Sequence, residues 1–153
     1  MKNLIWIIFI SLSFSACKTT KTDYTKLELN SIELYNINNL NISTEYVTKH
    51  WNKRLQEDGD INAKIERLEI INLVDIKTNK KTLVLLGTTN QKSVKTATKL
   101  TAYKNGLKLS NITVTCTNCN SDLNIQLNNK NWSCISDDTK NDTCTKTVTL
   151  VTE

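Results

Sequence analysis

A β-hairpin is predicted by residues 93–117, SVKTATKLTAYKNGLKLSNITVTCT. Its first half, residues 93–103, alternates between two sets of side chains, as the two faces of a strand do. Asn105-Gly106 follows, and this dipeptide is the one most typical of a type I′ hairpin turn. Alternation then resumes and continues to Thr117. The segment therefore predicts two antiparallel strands joined by a tight turn.

Further strands are predicted on both sides of this hairpin. Residues 68–76 and 82–86 are apolar and β-branched, and the polar residues 78–81 separate them, which indicates a second antiparallel hairpin. Three later segments have the same strand character: residues 123–127, 131–136 and 144–151.

A helix is predicted over residues 43–57. Apolar residues recur there at three- and four-residue spacing: Tyr46, Val47, Trp51 and Leu55. Ser43 or Thr44 can cap its start, and Gly59 can end it. Residues 27–37 fit a broken strand as well as a helix. One N-terminal helix followed by six or seven short strands predicts an α+β, mostly β domain, with an antiparallel sheet arranged as a meander or small sandwich.

The first 17 residues, MKNLIWIIFISLSFSAC, have the three parts of an export signal. Lys2 precedes an apolar run over residues 4–10, which is much shorter than the ~20 residues that cross a bilayer. The last four residues, FSAC, resemble the lipobox of bacterial lipoproteins, whose usual pattern is Leu, a small residue, Gly or Ala, and then Cys. The resemblance implies that residues 1–16 are removed and that Cys17 carries lipid on its sulfur and its amine.

The alternative to a lipoprotein is an ordinary secreted protein in which Cys17 is a structural thiol. If Cys17 is the mature N-terminus, Lys18 follows it, and in enterobacterial-type sorting a residue other than Asp at this position favours the outer membrane. We therefore expect a lipid-anchored protein on the periplasmic side of the outer membrane. Residues 17–25 are predicted to form the lipidated Cys and a flexible tether, and residues 26–153 a single small globular domain.

Four cysteines follow late in the chain with the spacing C-x2-C-x14-C-x9-C: Cys116, Cys119, Cys134 and Cys144. An even set in an exported chain predicts two disulfides, and four cysteines allow three pairings. Cys116 and Cys144 each share a strand face with apolar residues, so both are expected to point into the core. A Cys116–Cys144 bridge is therefore favoured, with Cys119–Cys134 as the second.

Two other roles for these cysteines stay open. Cys116-Thr-Asn-Cys119 matches one half of a zinc ribbon, although Cys134 and Cys144 are ten residues apart rather than three. The same C-x-x-C motif is used in thiol-disulfide exchange. That chemistry usually places the motif at a helix start facing a cis-proline, and this chain has no proline.

The residues do not form a recognisable catalytic set. His50 is the only histidine, so a triad or a His-rich metal site would have to be built around it alone. Asp58 and Asp60 flank Gly59, but the calcium-loop pattern around them is absent. Residues 137–142 could hold a cation weakly. We therefore expect no enzyme activity, no cofactor and no dedicated metal site.

Charge is distributed unevenly along the chain, whose formal net charge is +5. Residues 76–121 contain eight Lys and no acidic residue, whereas residues 23–75 contain ten acidic and six basic residues. A basic sheet face could attract an anionic envelope component or an acidic protein. The candidate anion-binding residues are Lys92, Lys95, Lys99, Lys104 and Lys108. The alternative is that these lysines only protect strands from edge-to-edge aggregation.

The sequence thus predicts a small lipid-anchored envelope protein that acts by binding. A periplasmic inhibitor or immunity lipoprotein is a specific version, because lysozyme-inhibitor lipoproteins are similar in general build. The rival prediction is a redox or zinc-binding factor that uses Cys116 and Cys119. Nucleic acid is not an expected partner, since the chain has only two Arg. The oligomeric state stays open.

Overall fold

The structure, a computed structural model, describes residues 22–57, 61–119, 123–136 and 144–151. Within these residues the chain forms one α-helix, α1 (Thr44–Glu57), and nine strands. The strands are β1 (Leu34–Tyr35), β2 (Asn41–Ile42), β3 (Ile65–Val74), β4 (Lys81–Thr89), β5 (Lys95–Tyr103), β6 (Gly106–Thr117), β7 (Leu123–Asn128), β8 (Asn131–Ser136) and β9 (Thr145–Leu150). The predicted signal segment, Cys17, Gly59 with its flanking Asp residues, and residues 137–143 lie outside the described residues.

The helix begins and ends close to the predicted positions, and Ser43 caps it. The Ser43 hydroxyl accepts a hydrogen bond from the Tyr46 N–H at 3.1 Å, which satisfies a donor that the first turn leaves unpaired. The prediction of an N-terminal helix is wrong, however, because β1 and β2 precede it. The undecided segment 27–37 combines one 3₁₀ turn, Leu29–Ser31, with β1.

A mixed sheet forms the middle of the domain, with the strand order β2-β1-β6-β5-β4-β3. Strands β3 to β6 are the predicted antiparallel meander. Strand β6 is paired with β5 along one edge, so its other edge is shared by β1 and β9 at different positions along its length. The expectation of a purely antiparallel sheet is corrected by β1, which runs parallel to β6.

Each face of this sheet is covered by a different element. Adjacent side chains on β4 point to opposite faces: Leu85 packs in a cluster with Val47, Trp51 and Leu55 of α1, and Val84 packs in a second cluster. That second cluster contains the apolar residues of the β7–β8 hairpin: Leu123, Ile125, Leu127 and Trp132. The domain is therefore a three-layer arrangement of helix, sheet and hairpin.

The folded domain extends into the segment predicted to be a tether. Asp23 caps a 3₁₀ turn over Tyr24–Lys26, and its carboxylate accepts hydrogen bonds from the backbone and hydroxyl of Thr25. Tyr24 packs against the core cluster on the helix side. The end of the predicted tether is therefore part of the globular domain.

The β5–β6 turn differs from the predicted type I′ turn at Asn105-Gly106. Tyr103 is paired with Gly106, so the turn residues are Lys104 and Asn105, and only Lys104 has a positive φ, of 48°. Glycine is required at Gly106 for space, since a Cβ there would overlap the backbone carbonyl of Glu33. Because the backbone of Glu33 lies this close to Gly106, the Leu107 N–H can donate a hydrogen bond to the Glu33 carbonyl at 2.9 Å. This hydrogen bond helps to attach β1, which begins at the next residue, to β6.

Two disulfides are formed, in a pairing that differs from the favoured one. Cys116 is bonded to Cys134, with Cα atoms 5.7 Å apart, and Cys119 is bonded to Cys144, with Cα atoms 4.4 Å apart. The favoured pairing is wrong because β9 places Lys146, two residues beyond Cys144, opposite Cys116. Cys144 is thereby level with the end of β6, next to Cys119, while Cys116 faces the β7–β8 hairpin.

Candidate functional site

A small groove lies between α1 and strand β6 of the sheet. The helix contributes Tyr46, His50 and Arg54 to this groove, at successive four-residue intervals that place them along one side of the helix. The rings of Tyr46 and His50 stack with their centroids 4.3 Å apart. This arrangement lines one wall of the groove with two rings and a guanidinium group.

The floor and the opposite wall of the groove are mostly apolar. Val47 and Trp51, which are 2% and 5% exposed, lie at the bottom of the groove on the helix side. The sheet side presents Leu109, Ser110 and Thr113 of β6, and Val151 follows β9 at one end. The loop between β1 and β2 supplies the remaining wall. An apolar floor with a few polar groups at its border is typical of sites that bind small ligands.

Arg54 gives the groove its charge. Its Nη1 atom is buried and has no hydrogen-bond partner among the described residues. No Asp or Glu is among the described residues that line the groove. A cationic N–H donor that is buried without an acceptor lowers the stability of the folded protein. The Arg54 guanidinium would therefore be stabilised by a negatively charged hydrogen-bond acceptor in the groove.

His50 is placed on the groove wall without the partners that a catalytic base needs. Its imidazole makes no hydrogen bond to another of the described residues, and its ring contact is with Tyr46. The Ser110 hydroxyl, which also borders the groove, accepts a hydrogen bond from the Ile112 N–H at 3.1 Å. The geometry is thus that of a binding wall, with no nucleophile and base in hydrogen-bonding contact.

The candidate anion-binding lysines do not form one continuous patch. Lys95 and Lys99 point toward the β7–β8 hairpin, where their Nζ atoms donate to the carbonyl oxygens of Leu123 and Lys130. Lys99 also lies 5.5 Å from the Trp132 ring centroid. Both lysines therefore help to attach the hairpin to the sheet.

The other three candidate lysines lie elsewhere. Lys104 and Lys108 are near the β5–β6 turn, with their Nζ atoms 5.3 Å and 5.6 Å from the Tyr103 ring centroid. Lys92 borders a shallow depression near the other end of β5, together with Lys95 and Arg67. Sequence reasoning grouped the five because they are close in the chain, whereas the strand geometry separates them.

Asp75 has a structural role that could not be recognised from the sequence. Only 2% of its surface is exposed, and it connects two turns. Its carboxylate accepts hydrogen bonds from the backbone N–H groups of Lys77 and Thr78 in the β3–β4 turn, and from those of Asn129 and Lys130 in the β7–β8 turn. The hydrogen bond from Lys130, opposed by burial and aided by those from Thr78 and Asn129, lowers the pKa of Asp75 to about 2.

The C-x-x-C motif does not supply a dithiol pair. Cys116 and Cys119 are each bonded to a different distant cysteine, so neither sulfur is free for exchange or for zinc. In the part of the chain that the structure describes, no group of three His, Cys, Asp or Glu side chains is arranged to hold a metal ion.

No protein-family model matches this chain, and the searches of curated proteins and of solved structures find no match to it. None of the described helices has the length and apolar character needed to cross a bilayer.

Proposed function

We propose that this chain is a lipid-anchored protein of the bacterial cell envelope that works by binding a partner and not by catalysis. The observation that carries the proposal is the division of its five cysteines. Cys17 ends a lipobox-like motif, and the other four form two disulfides. Disulfides form and persist in oxidising compartments such as the periplasm, which agrees with export.

The binding role is supported by the groove beside α1. It combines apolar walls with the buried Nη1 atom of Arg54, and its single histidine has no catalytic partner among the described residues. The proposed location is the periplasmic side of the outer membrane, with the domain held near the lipid surface by the residues after Cys17.

A periplasmic inhibitor or immunity lipoprotein is the more specific form of this proposal. The support is the small disulfide-linked β domain, whose β7–β8 hairpin is fixed to the sheet by the Cys116–Cys134 bridge. A rigid domain binds a partner with a smaller entropic cost than a flexible one. Lys92, which borders a shallow depression near one end of β5, is a second candidate contact for an anionic partner.

The anchor is tested by metabolic labelling with palmitate in a bacterial host, comparing the natural chain with Cys17→Ser. The natural chain is expected to be labelled and to fractionate with membranes, and the variant is expected to lose both properties. Ser13→Ala, upstream of the motif, serves as the control that should behave like the natural chain. Equal labelling and membrane association of Cys17→Ser and the natural chain would contradict the proposal.

The binding role is tested separately with immobilised processed protein and a detergent extract of the envelope. Retention of a specific envelope component at moderate salt is the expected result. Failure to retain any component under these conditions would count against a binding module.

A further inference from the structure

The groove beside α1 has a chemical preference that follows from Arg54. The Nη1 atom of Arg54 is buried and lacks a hydrogen-bond partner among the described residues. The three ion pairs between described residues, which are Lys26–Asp23, Lys53–Glu57 and Arg67–Glu69, do not include it. The guanidinium that lines the groove therefore has no anionic partner among the described residues, and a ligand that supplies an anionic acceptor would pair with a charge that the free protein leaves unpaired.

The shape of the groove limits what that ligand can be. A guanidinium group presents parallel N–H donors that match the two oxygens of a carboxylate. One guanidinium in a mostly apolar groove fits a single negative charge better than the two charges of a phosphate group. Trp51, Val47 and Leu109 provide apolar contact area next to Arg54, while Tyr46 and His50 add ring faces.

We propose that this groove binds a monocarboxylate whose charged group is attached directly to an apolar or aromatic body. The carboxylate would meet Arg54, and the body would lie against Trp51 and Leu109. Such chemistry is shared by free organic acids and by the carboxyl end of a peptide with an apolar last residue. The inference deepens the proposed binding role and rests on it, but it does not depend on the lipid anchor.

The experiment uses the chain as a bacterial host processes it, purified in nonionic detergent, and measures binding by calorimetry. The probes are 3-phenylpropanoate and acetyl-Ala-Ala-Phe with a free carboxyl end, each paired with its amide. Both acids, or one of them, are expected to bind at least tenfold more tightly than the matching amide. If 3-phenylpropanoate binds more tightly, the natural ligand is a free organic acid. If acetyl-Ala-Ala-Phe binds more tightly, it is the carboxyl end of a peptide.

Substitution of the two arginines of the chain provides a matched pair. Because a charged hydrogen bond is lost, Arg54→Gln is expected to weaken acid binding by about ten- to a hundredfold and to leave amide binding unchanged. Arg67→Gln is the control that should not change binding, because Arg67 lies on β3, pairs with Glu69 at 3.1 Å and is outside the groove. Arg54→Lys keeps the positive charge but not the paired N–H donors. Its acid binding should therefore be weaker than that of the natural chain and stronger than that of Arg54→Gln.

The proposal is overturned if acids and amides bind equally, or if neither acid binds at millimolar concentration. It is also overturned if Arg54→Gln and Arg67→Gln have the same effect. The comparison of acid with amide needs no substitution, so it remains decisive if Arg54→Gln does not fold. The palmitate labelling tests the lipid anchor, whereas the calorimetry tests the groove. If the chain proves not to be acylated, the comparison of acid with amide binding still decides the proposal.

Discussion

Asp75 stabilises the fold as a carboxylate that holds two turns together through their backbone N–H groups. Asp75→Asn should lower the free energy of unfolding at neutral pH, because an amide is a weaker acceptor and cannot be charged. Asp23→Asn is the matched control: hydrogen bonding by Thr25 lowers the pKa of Asp23 too, but this residue is exposed. Thermal or urea unfolding at pH 7 should therefore show a larger loss for Asp75→Asn than for Asp23→Asn.

The pH dependence of stability follows from the same group. The pKa of Asp75 in the folded chain is about 2, below the value of ~3.9 expected when the chain is unfolded. Its stabilising contribution is therefore complete above pH ~4 and is lost as the pH falls toward 2. Urea unfolding between pH 6 and pH 2 should show the natural chain and Asp75→Asn converging in stability. A constant difference over this range would contradict the role assigned to Asp75.

Arg54 should cost the free protein stability instead of adding to it. Arg54→Met keeps an unbranched side chain about as long as that of arginine up to Nε and removes the unpaired donor, so we expect the free energy of unfolding to stay the same or to rise by up to about 1 kcal/mol. Urea unfolding at neutral pH without ligand measures this directly. A loss of more than about 1 kcal/mol would mean that Arg54 is a structural residue with a partner in the folded chain.

At the scale of elements, the attachment of β1 to the sheet depends on Gly106. A Cβ at this position would overlap the backbone of Glu33, which cannot move without separating β1 from β6. We expect Gly106→Ala to destabilise the domain by more than about 3 kcal/mol, beyond the usual range for overpacking.

The control is Gly87→Ala, whose Cβ would meet only side-chain atoms of Trp51, Ile65 and Thr96 at 2.9–3.0 Å. These can adjust, so a loss of about 1–3 kcal/mol is expected there. If urea unfolding gives equal losses for both variants, the close approach of Glu33 to Gly106 is not what requires glycine.

The two disulfides should protect different elements. Replacing Cys116 and Cys134 together by Ser removes the link between the sheet and the β7–β8 hairpin, and is expected to cost about 3 kcal/mol. Amide hydrogen exchange should then accelerate in β7 and β8. The Cys119→Ser, Cys144→Ser pair should instead accelerate exchange in β9 and leave the hairpin protected. If the bridges were instead Cys116–Cys144 and Cys119–Cys134, each double substitution would break both of them, and both variants would accelerate exchange in the hairpin and in β9 alike.

Local patterns were sufficient to predict most elements but not how they are paired. The apolar spacing of α1 and the alternation of β3 to β6 are properties of neighbouring residues, so both could be predicted. Strand β1 has two residues and no period of its own, and it pairs with β6 more than seventy residues later. The disulfides depend on the register of β9 against β6, which strand faces alone do not determine.

Considered as a whole molecule, the domain places the groups that stabilise it apart from the groove proposed to bind a ligand. The disulfides and Asp75 lie with the hairpin on one face of the sheet, whereas the groove with Arg54 lies beside the helix on the other. The candidate site could not be predicted from the sequence because its walls come from α1, β6, the β1–β2 loop and the end of β9. His50 could be singled out in the sequence as the only histidine. Arg54 could not, because only the folded structure shows that its Nη1 atom is buried without a hydrogen-bond partner among the described residues.

The central claim is that the chain leaves the cytosol, carries lipid on Cys17 and has its other four cysteines oxidised. Intact-mass measurement, before and after thiol alkylation without reduction, tests all three parts on protein recovered from bacterial membranes. The expected species begins at Cys17, carries the added mass of acyl groups and takes up no alkylating agent. A full-length chain without acyl groups, in which all five cysteines are alkylated, would contradict the claim.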